Sequence, residues 1–251
     1  MLDIAPVQTG FSIGRVLFLT FRIIGRSFGR LVVLLVLTYG AQYALGQLSL
    51  TVIKATGPWL LVRSIASGPL ISLLPHGFLT GSISTLVFAD LNRRPEPLAT
   101  LLRTGVRLLL PIAVLSLAFG LAMALGLLLL IVPGLILLVR WFVAAPARAI
   151  EGPGIRNAFA HSAALTQGHR WAIFVLAIVV FLGSAVVFGA GIYITANWGR
   201  ALAGVHLAAL PSLLMSAVIG GLNAVATAVA YVELRRVKRG GLEGELAAVF
   251  E

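Results

Sequence analysis

Apolar residues in this chain come in long, nearly unbroken runs separated by short basic stretches. A helix needs about 20 consecutive apolar residues to cross the hydrocarbon of a bilayer. Six such runs are present, at roughly 31–52, 65–89, 108–130, 135–149, 172–196 and 207–232. No stretch alternates apolar and polar residues as a membrane β-strand does, which speaks against a barrel. A different pattern precedes the first run. Between 11 and 27, Ile13, Leu17, Phe21 and Ile24 recur at spacings of four, four and three, while Arg15, Arg22 and Arg26 share the opposite face. That division predicts an amphipathic helix lying in the interface, its arginines towards headgroups.

The runs themselves carry finer signals. The stretch 108–149 is too long for one crossing and predicts a tight hairpin, with Pro133 in the first turn of the second helix, where a missing N–H costs little. Span two contains Pro69, Pro75 and His76 and is expected to kink. Trp59, in the connection before it, is placed as an interfacial anchor. Small residues predict close helix packing at Gly40 and Ala44 in span one, at Ser116, Gly120 and Ala124 in span three, and at Gly220, Ala224 and Ala228 in span six. Gln42 and Gln47 are expected to face protein for the same reason. The order of an interfacial segment, two spans and a charged exit recurs at 11–94, 97–151 and 154–239, before a short amphipathic tail at 240–251. The expected architecture is an all-α polytopic membrane helical bundle. It is a single integral membrane domain over 1–251, with six transmembrane helices in three elbow-plus-hairpin repeats.

Composition agrees with the pattern. Hydrophobic residues make up 59% of 251 positions and charged residues only 11%, with a mean hydropathy of +1.04, so the bilayer must serve as solvent. The net charge of +11 would suggest nucleic acid if the basic residues were clustered. Their distribution argues for topology instead. Arg15, Arg22, Arg26 and Arg30 precede span one; Arg93, Arg94, Arg103 and Arg107 separate spans two and three; Arg148, Arg156 and Arg170 separate four and five; Arg235, Arg236, Lys238 and Arg239 follow span six. Lys54, Arg63 and Arg200 alone fall on the other side, and Arg140 lies within a span. The positive-inside rule then puts both termini in the cytoplasm. With no cysteine, disulfides and thiolate chemistry are excluded. The N-terminal stretch lacks the features of a cleavable signal and is expected to be retained.

The phrase IVPGLILLVRWFVAAPARAIEGPGIRNAFAHSAALTQGHRWAIF, with the later AVAYVELRR and LAAVF, resembles the membrane domain associated with bacterial glycerophosphoryl diester phosphodiesterases and the YciC-type uncharacterised inner-membrane proteins. The resemblance implies an all-helical, six-span protein of the bacterial inner membrane, of undefined activity, and it supplies no catalytic residues. The sequence itself argues against a phosphodiesterase. A catalytic barrel takes about 250 residues, and six spans have already used the chain. The acids Asp3, Asp90, Glu96, Glu151, Glu233, Glu243, Glu245 and Glu251 are scattered among the connections, and His76, His161, His169 and His206 are equally dispersed. No metal site, cofactor or catalytic set is expected.

Three residues form a candidate intramembrane polar site. Arg140 lies about 12 Å along a helix from Arg148, well inside the membrane, where its guanidinium suits a phosphate or carboxylate. The structural alternative is a carbonyl freed by Pro146, or a partner acid such as Asp90 or Glu233. His76 suits a relay or a substrate, or else a carbonyl at the kink. Asn223 suits an interhelical hydrogen bond. His161 and His169 are expected to be solvated or at headgroup level. Arg15, Arg22, Arg26, Arg93, Arg94, Arg235 and Arg236 are candidate contacts for anionic lipid. Two function classes follow. A non-enzymatic scaffold or accessory protein, contacting lipids or a membrane-protein partner, needs a closed bundle without a polar cavity. A carrier or flippase-like protein for an anionic amphiphile needs a cavity that joins Arg140, His76 and Asn223. Nucleic acid is not expected as a partner.

Overall fold

The computed structural model describes residues 10–52, 71–152, 154–198 and 210–249. Among them every regular element is an α-helix: α1 (Ile13–Arg26), α2 (Phe28–Val52), α3 (Ile71–Leu91), α4 (Leu98–Leu129), α5 (Ile131–Trp141), α6 (Ala144–Glu151), α7 (Ile155–Thr166), α8 (Arg170–Trp198) and α9 (Leu210–Val249). Six helical stretches are long and apolar enough to cross a membrane, and α5 with α6 forms the fourth. The chain is an all-helical, multi-pass membrane bundle. Lys54, Trp59, Arg63, Pro69, Arg200 and His206 lie outside the described residues.

The bundle is built around α3. Buried residues make up 61% of its crossing segment, against 17–39% in the other five, because α2, α4, α6 and α9 all pack on it. Its Leu79, Ile83, Leu86 and Val87 join a single apolar core with Val16 and Ile23 of α1, Leu31 and Leu34 of α2, Leu176 of α8 and the Ala224–Ala230 stretch of α9. The closest approach is between α3 and α4. A Cβ on Gly77 would strike the Leu109 carbonyl oxygen, and one on Gly105 would strike the Ser82 hydroxyl and the Phe78 ring. Ser82 Oγ uses that closeness to donate to the Leu101 carbonyl at 3.1 Å.

The expected hairpin is there. Leu130 alone, in extended conformation, separates α4 from α5, and Pro133 is the third residue of the new helix. Gly126 and Gly134 let the two helices meet at the turn, since a Cβ on Gly126 would come within 3.0 Å of Gly134 Cα. The fourth span then breaks at Phe142 and Val143. Pro146 explains the break: it has no N–H for the Phe142 carbonyl, and its ring crowds that oxygen. Ser162 Oγ, from α7, donates to the Arg140 carbonyl at 2.9 Å, satisfying one acceptor in the last turn of α5. Glycines in the left-handed region shape both ends of the next elbow, Gly152 (φ 69°) after α6 and Gly168 (φ 89°) before α8.

Several packing expectations need correction. The Gly40–Ala44 pair and the Gly120–Ala124 pair are exposed rather than packed, and Gln47 is exposed as well. The helices turn other stripes inward: Leu31, Leu34 and Thr38 on α2, continuing from Ser27 in the turn before it, and Leu101, Gly105, Leu108, Ile112 and Leu115 on α4. Those stripes alternate steps of three and four, which track a period of 3.6, whereas strict four-residue rows drift off the contact face. The α9 row does pack, with Ala224 and Ala228 buried and Gly220 against the Tyr39 hydroxyl. In the second repeat no separate elbow forms, because 98–107 is continuous with α4.

The first helix packs its expected Ile13, Leu17 and Ile24 against the core, but not Phe21. Its buried stripe is Val16, Thr20 and Ile23, while Phe21 is 63% exposed. Arg15 pairs with Glu233 at 3.3 Å and Arg26 with Asp90 at 3.6 Å, and both carboxylates are buried. Two ion pairs three turns apart thus strap α1 across α9 and α3, while both arginine side chains stay about half exposed.

Candidate functional site

A cavity of about 560 Å³ opens between α2, α3, α4, α9 and the broken fourth span. The break makes room for it. Trp141 and Phe142 end α5 against the cavity, and the small residues Ala144, Ala145 and Pro146 begin α6 on its wall. One side is polar. Ser72, His76 and Thr80 project from α3 at four-residue spacing, Thr38 and Gln42 continue the inward stripe of α2, and Ser216, Asn223 and Thr227 lie on α9. The other side is apolar, with Phe119 of α4, Leu138, Trp141 and Phe142 of α5, and Phe159 of α7. Trp141 packs against Phe159 with ring centres 4.5 Å apart and planes tilted by 44°, and meets Phe119 edge-on at 6.3 Å, so this wall is one aromatic unit.

The cavity sits at membrane depth. Asn223 lies about 18 Å along α9 from Arg235, and His76 about 22 Å along α3 from Leu91, at 1.5 Å per residue. Towards the arginine-rich end the same helices present apolar residues and close into the core. Asn223 is fixed in place: its Nδ2 donates to Ser184 Oγ of α8 at 3.0 Å and to the Ile219 carbonyl at 2.8 Å. The first bond is the interhelical link expected of it. His76 is exposed to the cavity, and among the described residues it has no hydrogen-bond partner, so it does not bond a kink carbonyl.

Arg140 stands apart from this pair. It is exposed and does not line the cavity, and among the described residues its side chain has no acid partner. Its neighbour Trp141 faces inward, and successive helical residues point about 100° apart, so the guanidinium is turned away. Asp90 and Glu233 are taken by Arg26 and Arg15. His76 and Asn223 are therefore brought to one cavity, and Arg140 is not.

A second polar cluster lies at the arginine-rich end. Glu151, the last residue of α6, accepts a hydrogen bond from the buried Tyr231 hydroxyl of α9 and pairs with Arg235 at 3.3 Å. His161 of α7 brings Nε2 within 2.9 Å of the other Glu151 oxygen, in line of charge but out of line for a hydrogen bond. Arg235 also lies over the Phe88 ring of α3 at 5.8 Å. His169 packs edge-on against Phe11, with Nδ1 buried. Neither histidine is simply solvated. Sequence distance hid this knot, since its members come from three elements up to 84 residues apart; the charged exits ending in Glu151 and Glu233 were the available signal. Of the lipid-contact candidates, Arg15, Arg26, Arg235 and Arg236 have acid partners, the last at 4.0 Å from Glu233. Arg22, Arg93 and Arg94 are exposed and, among the described residues, unpaired. No group of three or more potential metal ligands occurs among the described residues.

No family model, curated protein or solved structure matches this chain.

Proposed function

We propose that this protein holds an amphiphile within the membrane, as a lipid-binding or carrier protein rather than an enzyme. One observation carries the reading: a cavity of about 560 Å³ at membrane depth with one hydrogen-bonding wall and one aromatic wall. A scaffold needs a closed bundle. Polar groups facing an open space among transmembrane helices, by contrast, mark a ligand or substrate path. The hydroxyl, amide and imidazole groups suit a polar head, and the wall from Phe119 to Phe159 suits an acyl chain. By the positive-inside rule the arginine-rich end faces the cytoplasm, with both termini, in a bacterial inner membrane. Arg22, Arg93 and Arg94 remain as contacts for anionic headgroups at that face, at about 1 kcal/mol each. The similarity to the phosphodiesterase-associated and YciC-type membrane domains belongs to the same proposal, without their enzymatic partner.

A cavity-filling variant tests it. Ser116 lies on the cavity wall, so Ser116→Trp occupies the space while Ser116→Ala leaves it open. A ligand bound only by the folded state raises Tm. Delipidated native chain and Ser116→Ala should both gain several degrees on adding a total membrane lipid extract, and Ser116→Trp should gain less than half as much. Equal shifts in all three would mean that lipid acts only around the bundle, and would sink the proposal.

A further inference from the structure

The cavity contains no fixed charge. None of its lining residues is an arginine, lysine, aspartate or glutamate, although the chain carries 19 basic residues. Of the basic residues nearby in sequence, Arg235 pairs with Glu151 and Arg140 is exposed, and neither they nor Arg148 and Arg156 line the space. A phosphate brought here would lose its hydration with no cation on the lining to replace it.

The hydrogen-bond inventory sharpens the point. Thr227 Oγ1 donates to the Asn223 carbonyl and Ser216 Oγ to the Ser212 carbonyl, each at 2.8 Å, and Thr38 Oγ1 donates to the Leu34 carbonyl at 2.7 Å. Each hydroxyl has one hydrogen, so what remains is lone pairs. Asn223 has spent both amide hydrogens, on Ile219 and on a Ser184 hydroxyl that itself donates to the Val180 carbonyl at 2.8 Å. Only the carboxamide oxygen is left. The α9 wall, with Thr38 beside it, thus offers acceptors and no donors. Phosphate oxygens, which can only accept, find no partner on that wall. A head with free hydroxyls finds three acceptors on one helix face, at 216, 223 and 227. Across the space, Tyr39, His76 and Thr80 have no partner among the described residues and are open to bond the carbonyl oxygens of acyl esters.

We propose that the cavity selects a neutral, hydroxyl-bearing glyceride, of the diacylglycerol class, over phospholipids with the same acyl chains. The ester carbonyls face α2 and α3, the free hydroxyl faces α9, and a chain lies along Trp141. This rests on the amphiphile-binding reading above and replaces the anionic ligand expected of a carrier with an uncharged one.

Trp141 provides the probe. Diacylglycerol with acyl chains brominated near their middle, added to delipidated protein in neutral detergent, should quench fluorescence that is present in the native chain and missing from Trp141→Phe. Unlabelled diacylglycerol should relieve that quenching at about tenfold lower mole fraction than phosphatidic acid of identical chains, the discrimination expected when one head is hydrogen-bonded and the other is unpaired. Ser216→Ala with Thr227→Val removes two acceptors without touching the Asn223–Ser184 link, and should shrink the preference severalfold while the fold persists. If phosphatidic acid competes as well or better, the neutral-glyceride assignment falls and amphiphile binding stands. If brominated diacylglycerol and brominated phosphatidic acid both quench the native chain and Trp141→Phe by the same amount, both readings fall.

Discussion

Replacing Gly77 with alanine is expected to force α3 away from α4 and to cost about 1–3 kcal/mol, the range for overpacked cores. The added methyl would meet the Leu109 carbonyl oxygen and lie 3.1 Å from the Ala113 nitrogen, and backbone atoms cannot step aside as a side-chain tip can. Because α3 touches four other helices, the displacement would spread through the bundle and into the cavity wall that carries His76 and Thr80. The same change at Gly25 of α1, where a Cβ meets nothing within 4 Å, should be neutral or stabilise by about 0.5–1 kcal/mol through helix propensity. Thermal unfolding monitored by size exclusion separates the two. A Gly77→Ala protein as stable as Gly25→Ala would mean that α3 and α4 are not so closely packed.

Glu151→Ala is expected to destabilise the fold by about 2–3 kcal/mol, since it removes the acceptor of a buried hydroxyl and the partner of Arg235 together. The charge terms are discounted because Glu151 and Arg235 keep about a quarter of their side-chain surface in contact with solvent. Most of the loss should come from stranding the Tyr231 hydroxyl. Glu151→Gln, which still accepts from Tyr231, should therefore cost less than half as much, and Tyr231→Phe in the Glu151→Ala background should restore part of the stability. A graded-detergent unfolding series over this double-mutant cycle reads the coupling directly. Additive losses would mean that the two side chains do not meet.

These two sites illustrate what the amino-acid pattern carries and what it leaves out. Single-helix properties were legible. Six apolar runs became six helical stretches long and apolar enough to cross a membrane, and Pro133 opened the second arm of the hairpin, whereas the break in the fourth span before Pro146 was not anticipated. Partner-dependent properties were not. Gly77 reads like any other small residue until α4 is laid against it, and Gly120 reads as a packing residue although nothing approaches it. The cavity was half visible: Asn223 and His76 stood out as polar residues in apolar runs, but Ser72 and Thr80, on the same α3 stripe, carry no signal that sets them apart from other small hydroxyl residues. Arg140 attracted attention through its charge and depth alone. Which way it turns depends on Trp141 beside it and on the helix break after it, which only packing reveals.

Native mass spectrometry of the protein released from gentle detergent reads directly whether the cavity holds a lipid. One retained lipid per chain is expected, of a single neutral class, and its loss in Ser116→Trp but not in Ser116→Ala. A chain that emerges bare, or that carries the same mixture of bulk phospholipid adducts in all three forms, would contradict it.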